Sequence, residues 1–353
     1  MSMFKDMLGA EERLITNEYA LDYEFVPKIM PFRENQQKQI VECIKPLLTD
    51  RNGRNLFVYG APGIGKTAAA RWVLRDLEEN TEGIVPIYIN CWQKNTTFKI
   101  FLAICDFLGY KFLQNKKTTE LFNIIKKDLN EKAAAFVFDE IDKIEDFEFL
   151  YSLLNDLYKK TIILITNNKE ILVDMEDRIK SRLSPESLEF KPYTAEETYE
   201  ILKQRARISI VEGSLTEEAL QLIADSSSKR QDIRSGIHLL RESARTAEDA
   251  SSKKIEITHA EKSISKLESF QIKNSSELEE DTRFILNIIK ENSDKKIGDV
   301  FNAYKSKGGV SAYKTFQRKV EKLNKLGFIT ANKICGKEGN TTILSVSKKL
   351  SEF

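Results

Sequence analysis

"LFVYGAPGIGKTAAARWVLRDL", Leu56 to Leu77, is the stretch on which the fold turns. "LFVY" is a strand-length apolar run and "AAARWVLRDL" carries a helical pattern. Between them "GAPGIGKT", Gly60 to Thr67, matches GxxxxGK[ST] in full, in the strand-to-helix setting that the motif requires. Glycines are needed there because backbone N–H groups must wrap closely around phosphate oxygens. Gly60, Gly63, Ile64 and Gly65 are the expected backbone contacts, and the helix N-terminus adds its positive dipole end. Lys66 would reach the β- and γ-phosphates, and the Thr67 hydroxyl would bind Mg²⁺. The expected cofactors are ATP or ADP with Mg²⁺.

Outward from this loop, over about residues 56–190, short runs rich in Val, Ile, Phe and Tyr alternate with helical segments. The runs are "LFVYG", "VPIYIN", "AFVFDE", "TIILIT" and "SLEF", and the helices between them include 68–79 and 121–129. Such alternation implies a parallel sheet with helices on both faces. "AFVFDEIDKI" ends its strand in Asp139 and Glu140, where open α/β sheets bind ligands. Asp139 would hold the magnesium, directly or through water, and Glu140 would take a proton from, or orient, the attacking water. An acidic pair after a strand also serves as an ordinary helix flank. "TIILITNN" ends in Asn167, whose amide can hold a water near the γ-phosphate, although asparagine is common in strand-ending turns.

In "EDRIKSRLSPE", Glu176 to Glu186, Arg178 and Arg182 stand one helical turn apart. They are either surface charge or cations aimed at an anion that this chain does not itself hold. After Pro192 the strands stop. "TAEETYEILKQRARI" opens with a capping box, Thr194 with Glu197, and helices continue to about Ala250. The segment "SFQIKNSSELEE" reads as a polar linker.

The chain has 353 residues, with 31% charged and 41% apolar, as in a helix-rich globular protein of two or three domains. No run approaches the roughly 20 apolar residues of a membrane span. The N-terminus has no apolar signal segment, so a cytoplasmic, nucleoid-associated protein is expected. Cys43, Cys91, Cys105 and Cys335 show no CxxC spacing, and His238 and His259 stand alone. The net charge of +1 hides an asymmetry. Residues 295–353 hold 13 Lys/Arg and 4 Asp/Glu, leaving 42 and 50 for the rest, so a +9 end follows a −8 body. Such an end meets nucleic acid, or is a solvated lysine-rich face.

That end reads as three helices and a Gly-rich hairpin, a winged helix-turn-helix pattern. On its third helix, Tyr313, Phe316, Val320 and Leu323 should face the core. Lys314, Arg318, Lys322 and Lys325 take the other side, toward a major groove, while Lys333 and Lys337 on the wing would meet phosphates. A protein-docking winged helix with solvated lysines is the alternative.

Phosphate loop, acidic pair, strand-ending Asn, arginine pair and helical lid follow the order of an AAA+ ATPase. The chain resembles the archaeal ORC/CDC-type replication initiators over nearly its whole length. The resemblance includes "YEFVPKIMPFREN", "YINCWQKNTTFKIFLAICDFLG", "DRIKSRL" and "KRQDIRSGIHLLRESARTAE". It implies an AAA+ nucleotide-binding domain with an N-terminal arm (1–192), a helical lid (193–272) and a winged-helix DNA-binding domain (273–353). Arg234 in "QDIR" then matches the lid arginine that touches the γ-phosphate, with Gln231 in place of the family's glycine. Tyr193 and Arg205 match family nucleotide contacts. Arg182, with Arg178 as second candidate, matches the arginine that reaches a neighbour's ATP. "YKFLQNKKTTELFNIIKK" occupies the place of an extra DNA-touching helix, with Lys116 and Lys117 at its tip.

The activity so implied is a weak, partly neighbour-dependent ATPase acting as a switch. It would bind double-stranded origin DNA and help to recruit or load the replicative helicase (MCM), alongside possible homologous initiator subunits. Two alternatives are a P-loop transcription regulator and a helicase loader without origin specificity of its own.

Overall fold

The computed structural model describes residues 13–111, 113–276, 280–325, 328–336 and 339–346. It divides into two compact units, Met1–Lys262 and Ser263–Phe353.

In the first unit, α1 (Glu34–Ile44) leads to β1 (Leu56–Tyr59), α2 (Lys66–Asn80), β2 (Ile84–Asn90), α3 (Thr97–Phe107) and α4 (Thr118–Glu131). Then come β3 (Ala133–Asp139), α5 (Glu148–Asp156), β4 (Lys160–Thr166), α6 (Ile171–Asp174), α7 (Asp177–Leu183) and β5 (Glu186–Glu189). The five strands form one parallel sheet in the order β2-β3-β4-β1-β5. β3 and β4 are buried along their whole length, because helices cover both faces of a parallel sheet. Strand alternation sorts the residues: Phe57, Phe136, Phe138, Ile162 and Leu164 pack with α3, α4 and α5. Leu56, Val58, Ala135, Val137 and Ile163 pack with α1 and α2. The register pairs Asn90 with Asp139 and Tyr59 with Thr166, so the polar strand ends share one edge of the sheet.

The segment expected in the place of the extra DNA-touching helix, 110–127, holds a loop and then most of α4 (Thr118–Glu131). Leu121, Ile125 and Leu129 of α4 are buried in the core, so this helix is part of the sheet's own covering layer. Lys116 and Lys117 are exposed in the loop that precedes it.

The lid follows as α8 (Ala195–Ser209), α9 (Glu217–Arg230), α10 (Ile233–Asp249) and α11 (Ile257–Ser276). The Thr194–Glu197 capping box starts α8 as expected. Thr216 caps α9 and Asp232 caps α10 through backbone N–H groups. The expected polar linker is instead helical up to Ser276, and the division between units falls inside α11.

The second unit contains α12 (Glu280–Glu291), β6 (Lys295–Lys296), α13 (Ile297–Ser306), α14 (Tyr313–Lys325), β7 (Ile329–Gly336) and β8 (Gly339–Val346). Its antiparallel sheet has the order β6-β8-β7. β6 is an addition to the expected three helices and hairpin, since two exposed lysines carry no strand signal. Ile285, Ile289, Val300, Tyr304, Phe316, Val320, Leu323 and Leu344 form the core. Asp281 ties the helices together, accepting from Tyr304 Oη (2.7 Å), Ser311 Oγ (2.8 Å) and Lys319 Nζ (2.9 Å). Gly309 is required there, because a Cβ would fall 2.3 Å from the Tyr304 ring. One expectation is corrected: Tyr313 is 40% exposed. It sits on the first turn of α14 and reaches only the edge of Phe301, at 4.9 Å between ring centroids.

Candidate nucleotide site

The C-terminal edge of the sheet opens into a cleft of 260 Å³ beside the start of α2. Gly63, Ile64, Gly65, Lys66, Thr67, Asp139, Glu140, Asn167, Arg205 and Arg234 all line it. The sequence therefore brought most of its nucleotide residues to one place from five separate segments. Gly60 lies behind the loop, and its carbonyl accepts from Lys66. Gly63 and Gly65 have φ of +73° and +91°, a region glycine enters without strain.

Lys66 is buried, and its ammonium donates to Gly60 O (2.8 Å), Ala61 O (2.7 Å) and Asn167 Oδ1 (2.8 Å). Burial pushes it down to about 8; Asp139 pulls the other way, while Arg234 adds to the push. Asp139 is 3% exposed and takes three hydrogen bonds. Thr67 Oγ1 donates to Oδ2 at 2.6 Å, Tyr88 Oη to the same oxygen at 2.8 Å, and the Glu140 N–H to Oδ1 at 2.9 Å. Glu140 has a left-handed backbone, φ 56°. Burial first, then Asp139 and Asp142, hold its carboxyl above the ordinary range.

Sequence reasoning missed Tyr88. It lies on β2, two residues before the Asn90 that pairs with Asp139. Burial, with the carboxylate beside it, raises its phenol well above the usual value, so it remains a donor. Arg71 stacks on its ring at 4.4 Å. The only sequence signal was a tyrosine near the end of a strand beside the acidic one.

A divalent cation fits here. Magnesium takes oxygen ligands, few of them from protein, and leaves the remaining positions to phosphate and water. The Thr67 hydroxyl and Asp139 carboxylate, already held together, supply that partial set. Among the described residues no group of three or more His, Cys, Asp or Glu could form a closed cage.

The lid reaches the loop directly. The Ile233 N–H donates to Gly63 O at 3.1 Å, and the Asp232 carboxylate fills the space a Cβ on Gly63 would need. Gln231, where the resemblance expects glycine, keeps a left-handed φ of 53°. Arg234 is half-exposed, with Asp232 at 3.7 Å. Arg205 is buried, donates to Ala20 O (2.8 Å) and lies over the Phe25 ring at 4.7 Å; burial lowers it to about 10. Tyr193 does not line the cleft: it packs behind Gly65 and against Arg33.

Arg178 and Arg182 lie away from the cleft, on α7. Arg178 is held by Glu176 (2.6 Å) and Glu148 (2.7 Å). Arg182 is exposed over Tyr151 and has no carboxylate partner among the described residues. On α14, Lys314, Arg318 and Lys322 are exposed, whereas Lys319 turns inward to Asp281. Lys333 belongs to β7, and Lys337 lies outside the described residues. No helix among the described residues is long and apolar enough to cross a membrane.

A family model described as an AAA domain matches residues 49–171, and one described as a Cdc6 AAA+ ATPase-type lid domain matches residues 199–265. The chain is 30% identical to ORC1-type DNA replication protein 1 of Sulfurisphaera tokodaii, over 94% of this chain and 90% of that one. It is 31% identical to the protein of that description from Sulfolobus acidocaldarius, over 92% and 88%. The structure of the Aeropyrum pernix ORC1 protein in complex with DNA superposes with a TM-score of 0.71 at 25% identity, over 97% of this chain and 96% of that one.

Proposed function

Because this chain belongs to the ORC1-type family of AAA+ DNA replication proteins, we propose that it is an ATP-dependent replication initiator. It binds origin DNA and helps to recruit or load the replicative helicase. The observation that carries this is the similarity to an ORC1-type replication protein over 94% of this chain and 90% of the relative. That span takes in both the nucleotide cleft and the basic C-terminal unit. The Aeropyrum pernix ORC1 protein was solved in complex with DNA, which supports DNA as the partner.

The chain's own residues define the nucleotide cycle. Backbone amides of Gly63, Ile64 and Gly65 receive the phosphates, and Lys66 exchanges its carbonyl partners for phosphate oxygens. Thr67 and Asp139 would hold the magnesium, which would supply positive charge against the developing charge of the phosphates. Glu140, with its raised affinity for a proton, accepts one from the attacking water, and the Asn167 amide orients that water. Arg205 and Arg234 supply cations from the lid side.

Arg182 acts on the nucleotide of a neighbouring subunit. Its free guanidinium supports this over Arg178, which two carboxylates already occupy. Hydrolysis by one isolated chain is then slow, and ATP works as a switch. The second unit is a winged helix whose α14 presents Lys314, Arg318 and Lys322 to DNA, with Lys333 of β7 on the wing. Lys116 and Lys117, in a loop, offer at most a phosphate contact.

The test is binding of the purified protein to its own origin and to random DNA across salt concentrations. A preference that survives rising salt is expected. A steep salt slope without preference would leave a helicase loader, and a Lys66→Ala variant that still supported initiation would remove the switch.

A further inference from the structure

Arg33 is a buried cation with no anion. It is 4% exposed, and no carboxylate among the described residues pairs with it. Its guanidinium donates to backbone carbonyls and lies against the Tyr193 phenol, all neutral groups. Nε and Nη2 donate to Ile64 O (3.2 and 3.0 Å), Nη2 also to Lys191 O (2.7 Å), and Nη1 to Phe32 O (3.3 Å). Its plane lies 3.8 Å from the Tyr193 ring centre and 5.3 Å from that of Phe190. The preceding residue, Phe32, has a φ of 65°, strained for an aromatic side chain. A buried unpaired charge and a strained backbone both oppose folding, so keeping them together points to a function.

Ile64 O belongs to the peptide whose N–H is that of Gly65, and both residues line the cleft. A cation on the carbonyl side polarises that peptide and strengthens its N–H as a donor to an anion. The same Nη2 also holds Lys191 O, in the segment 190–194 between β5 and the first lid helix. Tyr193 joins the same unit, since its hydroxyl occupies the space a Cβ on Gly65 would take, at 2.7 Å. Arg33 itself is absent from the cleft lining.

We infer that Arg33 is a positioning residue of the nucleotide site: it sets the Ile64–Gly65 peptide for phosphate and ties phosphate occupancy to the segment that leads into the lid. This rests on the nucleotide-binding reading above. The buried charge finds its counterion in the phosphates, across the loop.

Two variants test it, Arg33→Met and Arg33→Lys, each probed with ADP in the absence of magnesium. Affinity is read with a fluorescent ADP analogue, and hinge response by hydrogen exchange at 190–196 with and without ADP. Arg33→Met should weaken ADP on the order of tenfold to a hundredfold, and ADP should no longer change exchange at 190–196. Arg33→Lys keeps the charge and recovers part of the affinity. It does not recover the hinge response, because an ammonium lacks the paired Nε and Nη2 donors that grip Ile64 O while Nη2 also holds Lys191 O. A residue that only packs would lower the thermal midpoint and leave affinity and hinge response as in the wild type; that result overturns the proposal. If Arg33→Met does not fold, a wild-type hinge response in Arg33→Lys overturns it equally. Failure of the wild-type protein to bind ADP would refute the nucleotide reading itself, and this proposal with it.

Discussion

Nucleotide binding should draw in a proton as the pH rises, and Lys66 sets the amount. Burial holds its ammonium at about 8 in the protein without ligand, against an ordinary 10.5. Phosphates at the loop stabilise the charged form, so the bound state keeps Lys66 protonated. Uptake should then be about 0.1 proton at pH 7, about 0.5 at pH 8 and about 0.9 at pH 9, with ADP affinity falling roughly tenfold between pH 7 and 9. Calorimetry in pairs of buffers with different protonation enthalpies, with EDTA present, measures both quantities. Uptake near zero at pH 9, together with an affinity flat from pH 7 to 9, would refute the reasoning. The sign for stability follows from the same shift. A lysine depressed by folding opposes the fold most fully below about pH 8, and this opposition fades as the pH climbs toward 10.5. Its contribution to stability therefore rises with pH across that window.

Tyr88→Phe removes one of the donors that orient Asp139. It should weaken magnesium-dependent nucleotide binding about tenfold and leave magnesium-free binding unchanged; equal losses in both titrations would contradict the assignment. In Gly63→Ala the added Cβ meets Asp232 Oδ1 at 1.9 Å on a backbone of φ +73°, so urea unfolding should show a loss of about 1–3 kcal/mol. Arg182→Ala should reduce assembly-dependent ATPase on the order of a thousandfold while sparing nucleotide affinity, and Arg178→Ala should do much less. An assembly-dependent rate indifferent to Arg182→Ala would return that residue to plain surface charge. Lys314→Ala and Arg318→Ala should each lower the salt slope of DNA binding by about one, read from anisotropy at several salt concentrations.

Much of this was legible because it is local. A phosphate loop needs its glycines, lysine and threonine within eight positions, and a capping box needs Thr194 and Glu197 one turn apart. Buried parallel strands announce themselves as apolar runs, so the polar residues that end them stand out. Arg33 stayed hidden because its partners Ile64 and Lys191 are 31 and 158 positions away. Nothing around an arginine after Phe32 says that it is buried. Tyr88 was hidden in the same way, by a bond that crosses from β2 to β3. Tyr193 was placed at the nucleotide by resemblance, yet the structure puts its ring behind the loop. Tyr313 fitted the helical stripe, but periodicity does not tell a helix's first position that the chain before it turns away.

The Asn167 amide oxygen accepts from the Lys66 ammonium at 2.8 Å. The group proposed to steer the attacking water is therefore sequestered by the group that recognises the phosphate. A phosphate that drew the ammonium forward would compete with that bond, and recognition would then precede competence. An interlock of that kind would make idle chemistry rare, because the substrate itself would have to release the group that steers the water.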